Sequence, residues 1–148
     1  MAHTLTHLLT HVVFGTKERA PLIIPNLRPH LHAYMGGIIR EMNGTALAVG
    51  GTSDHVHLLI VLPPVLSVSE AMRVVKTNSS RWVKETYRIT FGWQSGYGAF
   101  SVSQSNAADV SSYIARQEGH HRKVTFQEEF VVFLKRHGVE YDERYLWS

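Results

Sequence analysis

Two short apolar runs near residue 50 constrain the fold of this chain most, because a tight turn separates them. The runs cover residues 45–50 and 56–62, and the turn-forming segment 51–54 (GTSD) lies between them. Runs of this length are typical of strands, and Gly, Ser and Asp favour turns. The pattern therefore predicts a hairpin-like pair of strands. It ends at two prolines, residues 63 and 64, because proline cannot continue a paired strand.

The segments on either side of this pair predict an alternating order of strands and helices. Residues rich in β-branched and aromatic side chains favour a strand, and apolar residues at helical intervals favour a helix. The predicted elements are a strand at 5–17, a helix at 27–42, a helix at about 67–87 and a strand at 93–102. With the central pair, the order is β-α-β-β-α-β, the pattern of ferredoxin-like and RRM-like domains. We therefore predict an α+β fold built on one antiparallel sheet.

Two further helices are predicted after the fourth strand. They cover 107 to about 121 and 126–137, with Gly138 at a C-cap position. At 148 residues and 44% apolar content, the chain is long enough for one compact domain and short for two. We therefore predict a single domain over 1–148, in which the additional C-terminal helices are available to carry function.

A histidine pair lies at the start of the predicted third strand. His55 and His57 are two residues apart, so on an extended strand both imidazoles project from the same face and can reach one cation. Most such pairs are surface or packed histidines, and that reading stays open for this pair taken alone. His3, His7 and His11 share one parity on the first strand, which favours a solvent face over a second metal site.

A tyrosine and a glutamine lie one helical turn apart in the helix predicted at 107–121. Tyr113 and Gln117 therefore share one face of that helix. This spacing is also common on ordinary amphipathic surfaces. If this helix packs against the histidine strand, two imidazoles, an amide oxygen and a phenol converge. That set suits attack on a phosphodiester. His120 and His121 follow closely, and a structural or solvated role is favoured for both.

The charge balance is mildly basic and suits a polyanionic partner. Lys and Arg number 15 against 12 Asp and Glu, the formal charge is +3, and the sequence pI is near 9.3. Cysteine is absent, which excludes disulfides and thiolate metal sites. The helix predicted at 67–87 has a basic stripe opposite its apolar side, which predicts phosphate contacts, although an ordinary solvated face has the same pattern. The stripe consists of Arg73, Lys76, Arg81, Lys84 and Arg88.

Neither a membrane span nor a secretory signal is evident in the sequence. No apolar run approaches the length of a bilayer span, and the first residues lack the basic and then apolar layout of a signal peptide. We therefore expect a soluble, cytoplasmic protein that makes no membrane contact.

Several segments in order along the chain resemble the single-tyrosine HUH transposases, which include small insertion-sequence transposases and their REP-associated relatives. The segments that carry the resemblance are DHVHLL (54–59), VVKTNSSRW (74–82), GYGAFSVS (96–103) and YIARQEGHH (113–121). Two more, HVVFGTKER (11–19) and FLKRHGVEYDERYLW (133–147), resemble the family's first strand and tail. The resemblance therefore covers nearly the whole chain.

The resemblance implies roles for four residues. His55 and His57 are expected to bind a divalent cation, Tyr113 to be the nucleophile, and Gln117 to complete the metal shell. These three ligands are neutral, so we expect the charge of the ion to act undiminished on a phosphate. Imidazole ligands suit Mn²⁺, and Mg²⁺ is the usual partner of phosphate chemistry, so either is expected.

The resemblance also implies a reaction and partners. The expected reaction is metal-dependent cleavage and rejoining of single-stranded DNA through a 5′-phosphotyrosine, with hairpin-forming element ends as substrate. A homodimer is expected, in which the tyrosine helix can serve either subunit and the polar segment 103–106 is the hinge. Two alternatives remain open: a relative that processes host repeat hairpins, and a non-catalytic module that binds single-stranded nucleic acid.

Overall fold

A four-stranded antiparallel sheet with the strand order β2-β3-β1-β4 forms the centre of the protein. The computed structural model describes residues 3–121 and 123–147. The strands are β1 (Leu9–Gly15), β2 (Thr45–Gly51), β3 (His55–Val61) and β4 (Gly98–Ser101). The helices are α1 (Arg28–Glu41), α2 (Val68–Tyr87), α3 (Ala107–Ala115), α4 (Gln117–His120) and α5 (Phe126–Arg136).

The predicted α+β fold is confirmed, including the β-α-β-β-α-β order and the additional C-terminal helices. The hairpin-like pair is β2 and β3, which run antiparallel with Gly50 opposite His57. Two predicted strands are too long. The first strand begins at Leu9, not at residue 5, and the fourth is confined to four residues, because Trp93 makes only an isolated bridge to Thr16.

One face of the sheet is covered by α1 and α2 and holds the larger apolar core. Alternate residues of the two central strands, Val12 and Phe14 on β1 and Leu58 and Ile60 on β3, point into this layer and are fully buried. Ser67 caps α2 by accepting a hydrogen bond from the Glu70 amide. No helix in the described parts of the chain is long and apolar enough to cross a membrane.

The opposite face of the sheet is covered by α3, α4 and α5. The other alternating residues of β1 and β3 point into this layer, and these include His11, His55 and His57. The helix predicted over 107–121 is broken at Arg116, whose amide is shared between the carbonyls of Ser112 and Tyr113 at 3.2 Å each. Such sharing tightens the last turn, so the chain leaves the axis of α3 and begins α4 at Gln117.

Two glycines in the sheet let the helices of this second face approach closely. A Cβ atom at Gly50 would lie 2.8 Å from Ile114 Cγ2 on α3, and one at Gly15 would lie 2.8 Å from Phe126 Cε2 on α5. A Cβ at Gly50 would also meet the backbone carbonyl of Ile114, so only glycine leaves room for α3 there, and at Gly15 the ring of Phe126 fills the space that a side chain would take. A capping box of Thr125 and Glu128 fixes the start of α5.

Candidate active site

The predicted histidine pair is brought into the interior between the sheet and the second helix layer. His55 and His57 are the first and third residues of β3, and both are completely buried. They share one face of the strand, as predicted from their spacing. The ring of His55 stacks on Phe126 of α5, with the two ring centroids 4.3 Å apart and the planes 6° from parallel.

The turn before β3 orients His55. Its Nδ1 lies 2.9 Å from Asp54 Oδ1 and 3.0 Å from Thr52 Oγ1. When Nδ1 donates its proton to the Asp54 carboxylate, Nε2 of the neutral ring turns its lone pair towards the second helix layer. A carboxylate on the far nitrogen is the usual support of a metal-binding histidine.

His57 is held in a similar way by another histidine. Its Nδ1 lies 2.8 Å from Nε2 of His11, and the two rings stack with centroids 5.0 Å apart. Burial lowers the pKa of His57 to about 4 and that of His11 to about 3, so both rings are neutral at pH 7. The predicted solvent face is wrong for His11, which is 3% exposed. In the antiparallel register His11 lies opposite Leu59 and Val13 lies opposite His57. His11 therefore projects from the same face of the sheet as His55 and His57.

Gln117 joins the histidines as the sequence predicts, although it begins α4 and is not in the same helix as Tyr113. Its Oε1 atom lies 2.9 Å from His55 Nε2 and 2.9 Å from His121 Nε2. Its amide Nε2 donates to the backbone carbonyl of Tyr113 at 3.3 Å, which fixes the side-chain oxygen towards the histidines. His121 is therefore part of this cluster, whereas a structural or solvated role was the favoured interpretation from sequence.

A buried carboxylate at the centre of the cluster was missed from sequence. Glu129 of α5 is 3% exposed, and its Oε1 lies 2.9 Å from His57 Nε2 and 3.7 Å from His55 Nε2. Its Oε2 lies 3.1 Å from His120 Nε2 and 3.2 Å from His121 Nε2. Burial alone would raise the pKa of Glu129, but hydrogen bonds from His121 and His57 hold it well below the ordinary value. The carboxylate is therefore ionised.

One signal in the sequence could have identified Glu129. It lies three residues after Phe126 and one before Phe130, so it falls on the apolar side of the helix. Glu128, the other acidic residue in the first turn, is exposed. A glutamate on the apolar side is rarely buried without a partner, which makes it a candidate for a site.

Tyr113 lies in the same cluster. Its hydroxyl donates a hydrogen bond to Glu129 Oε2 and lies 3.2 Å from His120 Nε2. Burial, together with this hydrogen bond and the carboxylate charge, raises the pKa of Tyr113 above its ordinary value, so the phenol keeps its proton in this arrangement. Tyrosine and histidines come from one chain here.

The side chains of this cluster could hold a metal ion. One donor atom from each of His55, His57, His121 and Glu129 lies within 4.8 Å of the others. The Nε2 lone pair of His55 faces the amide oxygen of Gln117, and two acceptors in contact are a suitable environment for a cation. Glu129 adds a negative charge to this cluster, beside the three neutral ligands predicted from sequence.

A basic cleft of about 810 Å³ leads from the surface to Tyr113. Edge strand β2 forms one wall, and the ends of α3 and α4 form the other. Its cations are Arg28, Arg116 and Lys123. Arg28 is paired with Glu118 at 2.6 Å, whereas Arg116 and Lys123 are exposed.

The basic stripe predicted on α2 lies across the sheet from this cluster. Arg73 is exposed but bonded to Glu70 at 2.6 Å, and Arg81 donates to Asn78 at 2.9 Å. Lys84 is exposed. Lys76 is half-buried, and its ammonium group donates to the carbonyls of Gln94, Ser95 and Gly96. Lys76 therefore fixes the loop before β4, and a groove of about 400 Å³ lies beside it, lined in part by Arg73 and Tyr97.

Solved structures share this fold. The crystal structure of a candidate transposase from Deinococcus radiodurans R1 superposes with a TM-score of 0.65 at 20% identity, covering 79% of this chain and 95% of that one. A REP-associated tyrosine transposase bound to a REP hairpin superposes with a TM-score of 0.61 at 14% identity, covering 84% of this chain and 76% of that one. The chain therefore has the same fold as these two transposases.

Sequence comparison then establishes the family. The family described as "Transposase IS200 like" matches residues 4–117. The transposases for insertion sequence element IS200 of Salmonella typhimurium LT2 and Salmonella typhi are each 29% identical over 124 residues, covering 79% of this chain and 81% of theirs. The chain belongs to the IS200-like transposase family, which confirms the resemblance to the single-tyrosine HUH transposases.

Proposed function

We propose that this transposase cuts and rejoins single-stranded DNA through a covalent 5′-phosphotyrosine on Tyr113. One observation carries the proposal. The Tyr113 hydroxyl and His57 Nε2 contact the two oxygens of the same buried carboxylate, Glu129. A phenol nucleophile therefore lies next to a set of metal-binding side chains, which is the combination that phosphodiester transfer requires.

His55, His57 and Gln117 would hold a divalent cation, Mg²⁺ or Mn²⁺, on their side-chain nitrogens and oxygen. When bound, such an ion neutralises the charge that develops on the non-bridging oxygens of the scissile phosphate and orients that group. The protein supplies the orientation of the ligands. Asp54 and His11 each fix the far nitrogen of one histidine, so the inner nitrogen of each is presented to the site.

In the proposed reaction, the Tyr113 oxygen forms a bond to phosphorus while the bond from phosphorus to the 3′ oxygen breaks. The phenol loses its proton, and the departing 3′ oxygen gains one. The DNA 5′ end remains attached to Tyr113 as a phosphodiester, so the bond energy is kept. A different 3′-hydroxyl can then attack the phosphotyrosine and restore the phenol, which joins two strands without a nucleotide cofactor.

The proposed substrate is a hairpin-forming single strand, and two surfaces would bind it. The cleft at Tyr113 carries the exposed cations Arg116 and Lys123 and suits the strand that is cut. The α2 surface, with Arg73, Arg81 and Lys84 outside and Lys76 at the groove, remains the predicted contact for the flanking DNA. The solved REP-associated transposase is itself bound to a REP hairpin. We further propose a homodimer that acts in the cytoplasm, with segment 103–106 as its hinge.

The deciding experiment is adduct formation. We expect the wild-type chain, incubated with a labelled single-stranded hairpin and Mn²⁺, to give a protein–DNA adduct that survives denaturation. Tyr113→Phe removes only the attacking oxygen and should give none, while still binding the DNA. A chelator should also abolish the adduct. An adduct formed by Tyr113→Phe, or none from wild type across hairpins of varied sequence, would contradict the mechanism.

The two DNA surfaces can be separated by removing charge. Each lost phosphate contact should lower the slope of log affinity against log salt by about 0.7 for a single strand. Replacing Arg73, Arg81 and Lys84 together by Gln should weaken hairpin binding, with near-normal adduct formation on saturating DNA. Replacing Arg116 and Lys123 by Gln should lower adduct formation per bound DNA. Affinity titrations at several salt concentrations, followed by adduct assays, test this. Unchanged slopes in both variants would exclude both surfaces.

A further inference from the structure

The carboxylate in the metal-binding cluster comes from a part of the chain that the family match does not include. That match ends at residue 117, whereas Glu129 lies in the first turn of α5, Phe126–Arg136. Its position is well defined, because a capping box fixes the start of α5 and Phe126 and Phe130 pack beneath it in a buried cluster.

The donor spacing around Glu129 is that of ligands sharing one ion. Ligands bonded at about 2.1 Å to one octahedral cation lie about 3 Å from their neighbours. Glu129 Oε1 lies 2.9 Å from His57 Nε2 and 3.7 Å from His55 Nε2, and the Oε1 atom of Gln117 lies 2.9 Å from His55 Nε2. The Oε1 atom of Glu129 is therefore close enough to both histidine nitrogens to share one ion with them.

His121 is the other candidate for an additional ligand, and its contacts indicate a different role. Its Nε2 lies 2.9 Å from Gln117 Oε1 and 3.2 Å from Glu129 Oε2. His55 and His57 face Oε1 of Glu129, whereas His121 faces Oε2, the oxygen that also accepts from Tyr113. His121 orients the two oxygen donors from outside.

We infer that Glu129 is a protein ligand of the cation, contributed by α5, and that its second oxygen positions the nucleophile. Oε1 completes a set with His55, His57 and Gln117, while Oε2 accepts the hydrogen bond of Tyr113. The inference rests on the proposed metal-dependent function and deepens it. With one carboxylate among the ligands, the site lowers the net charge of a divalent ion to about +1 and suits a hard cation such as Mn²⁺ or Mg²⁺.

The test is Mn²⁺ binding by the full chain without DNA, measured by calorimetry and by loss of the electron paramagnetic resonance signal of free aqueous Mn²⁺. Glu129→Gln keeps the shape of the side chain and removes its charge, and the affinity should fall at least about tenfold. The matched control is Glu128→Gln on the same helix, an exposed position where the amide oxygen can still accept from Thr125. The control should bind Mn²⁺ as wild type does.

A Glu129→Gln variant that binds Mn²⁺ within about twofold of wild type would overturn the inference. If circular dichroism shows that Glu129→Gln does not fold, the Mn²⁺ affinity of Glu129→Asp is measured in its place. An affinity below wild type supports the ligand role, and an affinity equal to wild type overturns it. The proposed reaction fails in a different way. A chain that binds Mn²⁺ through Glu129 yet forms no adduct keeps this inference and loses the strand-transfer mechanism.

Discussion

Replacing His57 with alanine is expected to reduce adduct formation by at least about 100-fold, because even the outer partners of metal ligands contribute 10-fold to 100-fold. The variant loses a donor that lies 2.9 Å from Glu129 and the ring that stacks on His11. Hairpin affinity should change little, since His57 is fully buried. Adduct assays and DNA titrations, run side by side at saturating Mn²⁺, measure the two effects separately.

His30→Ala is the control for this variant, because His30 is an exposed histidine on α1. It should behave as wild type in both assays. His57→Ala also leaves buried partners without a hydrogen bond, so a loss of about 1–3 kcal/mol in the free energy of unfolding is expected. A folded His57→Ala chain that no longer binds the hairpin would instead place this histidine in the DNA-binding surface.

Replacing Phe126 with alanine should have the largest effect on stability, lowering the free energy of unfolding by about 3–5 kcal/mol. In a chain of this size that loss corresponds to a decrease of roughly 6 to 20 °C in the melting temperature. Phe126 is 2% exposed, stacks on His55 and anchors the helix that carries Glu129. The affinity for Mn²⁺ should therefore fall as well, by about tenfold.

Phe91→Ala provides the matched comparison for Phe126→Ala. Phe91 is 5% exposed and belongs to the core on the other face of the sheet, away from the histidines. Its removal should destabilise the chain by a similar amount and leave Mn²⁺ affinity unchanged. Thermal melts and Mn²⁺ titrations of both variants are compared at a temperature where each is folded. Equal Mn²⁺ affinities in the two would show that Phe126 supports only the core.

The parts of the fold that local sequence determines were predicted correctly. Alternating and helical apolar patterns, with glycine, serine and proline at the breaks, define the hairpin of β2 and β3 and the order of strands and helices along the chain. The short fourth strand was not foreseeable in this way. The carbonyls of Gln94 to Gly96 bond to Lys76 of α2, a contact made across 18 to 20 residues of sequence. Local propensity carries no information about such a partner.

In the candidate site, too, local spacing predicted some residues correctly and tertiary packing decided the others. The spacing of His55 and His57 predicts their shared face, because a strand has a fixed period. The spacing of Tyr113 and Gln117 predicts that one continuous helix carries both residues, whereas the chain bends at Arg116. Glu129 was missed because its partners lie 72 residues away on β3 and 16 residues away on α3. Only the packing of α5 on the sheet brings them together.

The close approaches at Gly50 and Gly15 provide a diagnostic for relatives of this chain. Any side chain at Gly50 would meet the carbonyl of Ile114, and any side chain at Gly15 would meet the ring of Phe126. A larger residue at the position of Gly15 displaces the ring of Phe126, and a relative with a larger residue at the position of Gly50 must hold its tyrosine helix further from the sheet. Its own chain could not then assemble the arrangement described for Tyr113 and Glu129. The residue aligned with Gly50 would thus separate relatives able to close this site within one chain from those that must obtain the nucleophile elsewhere.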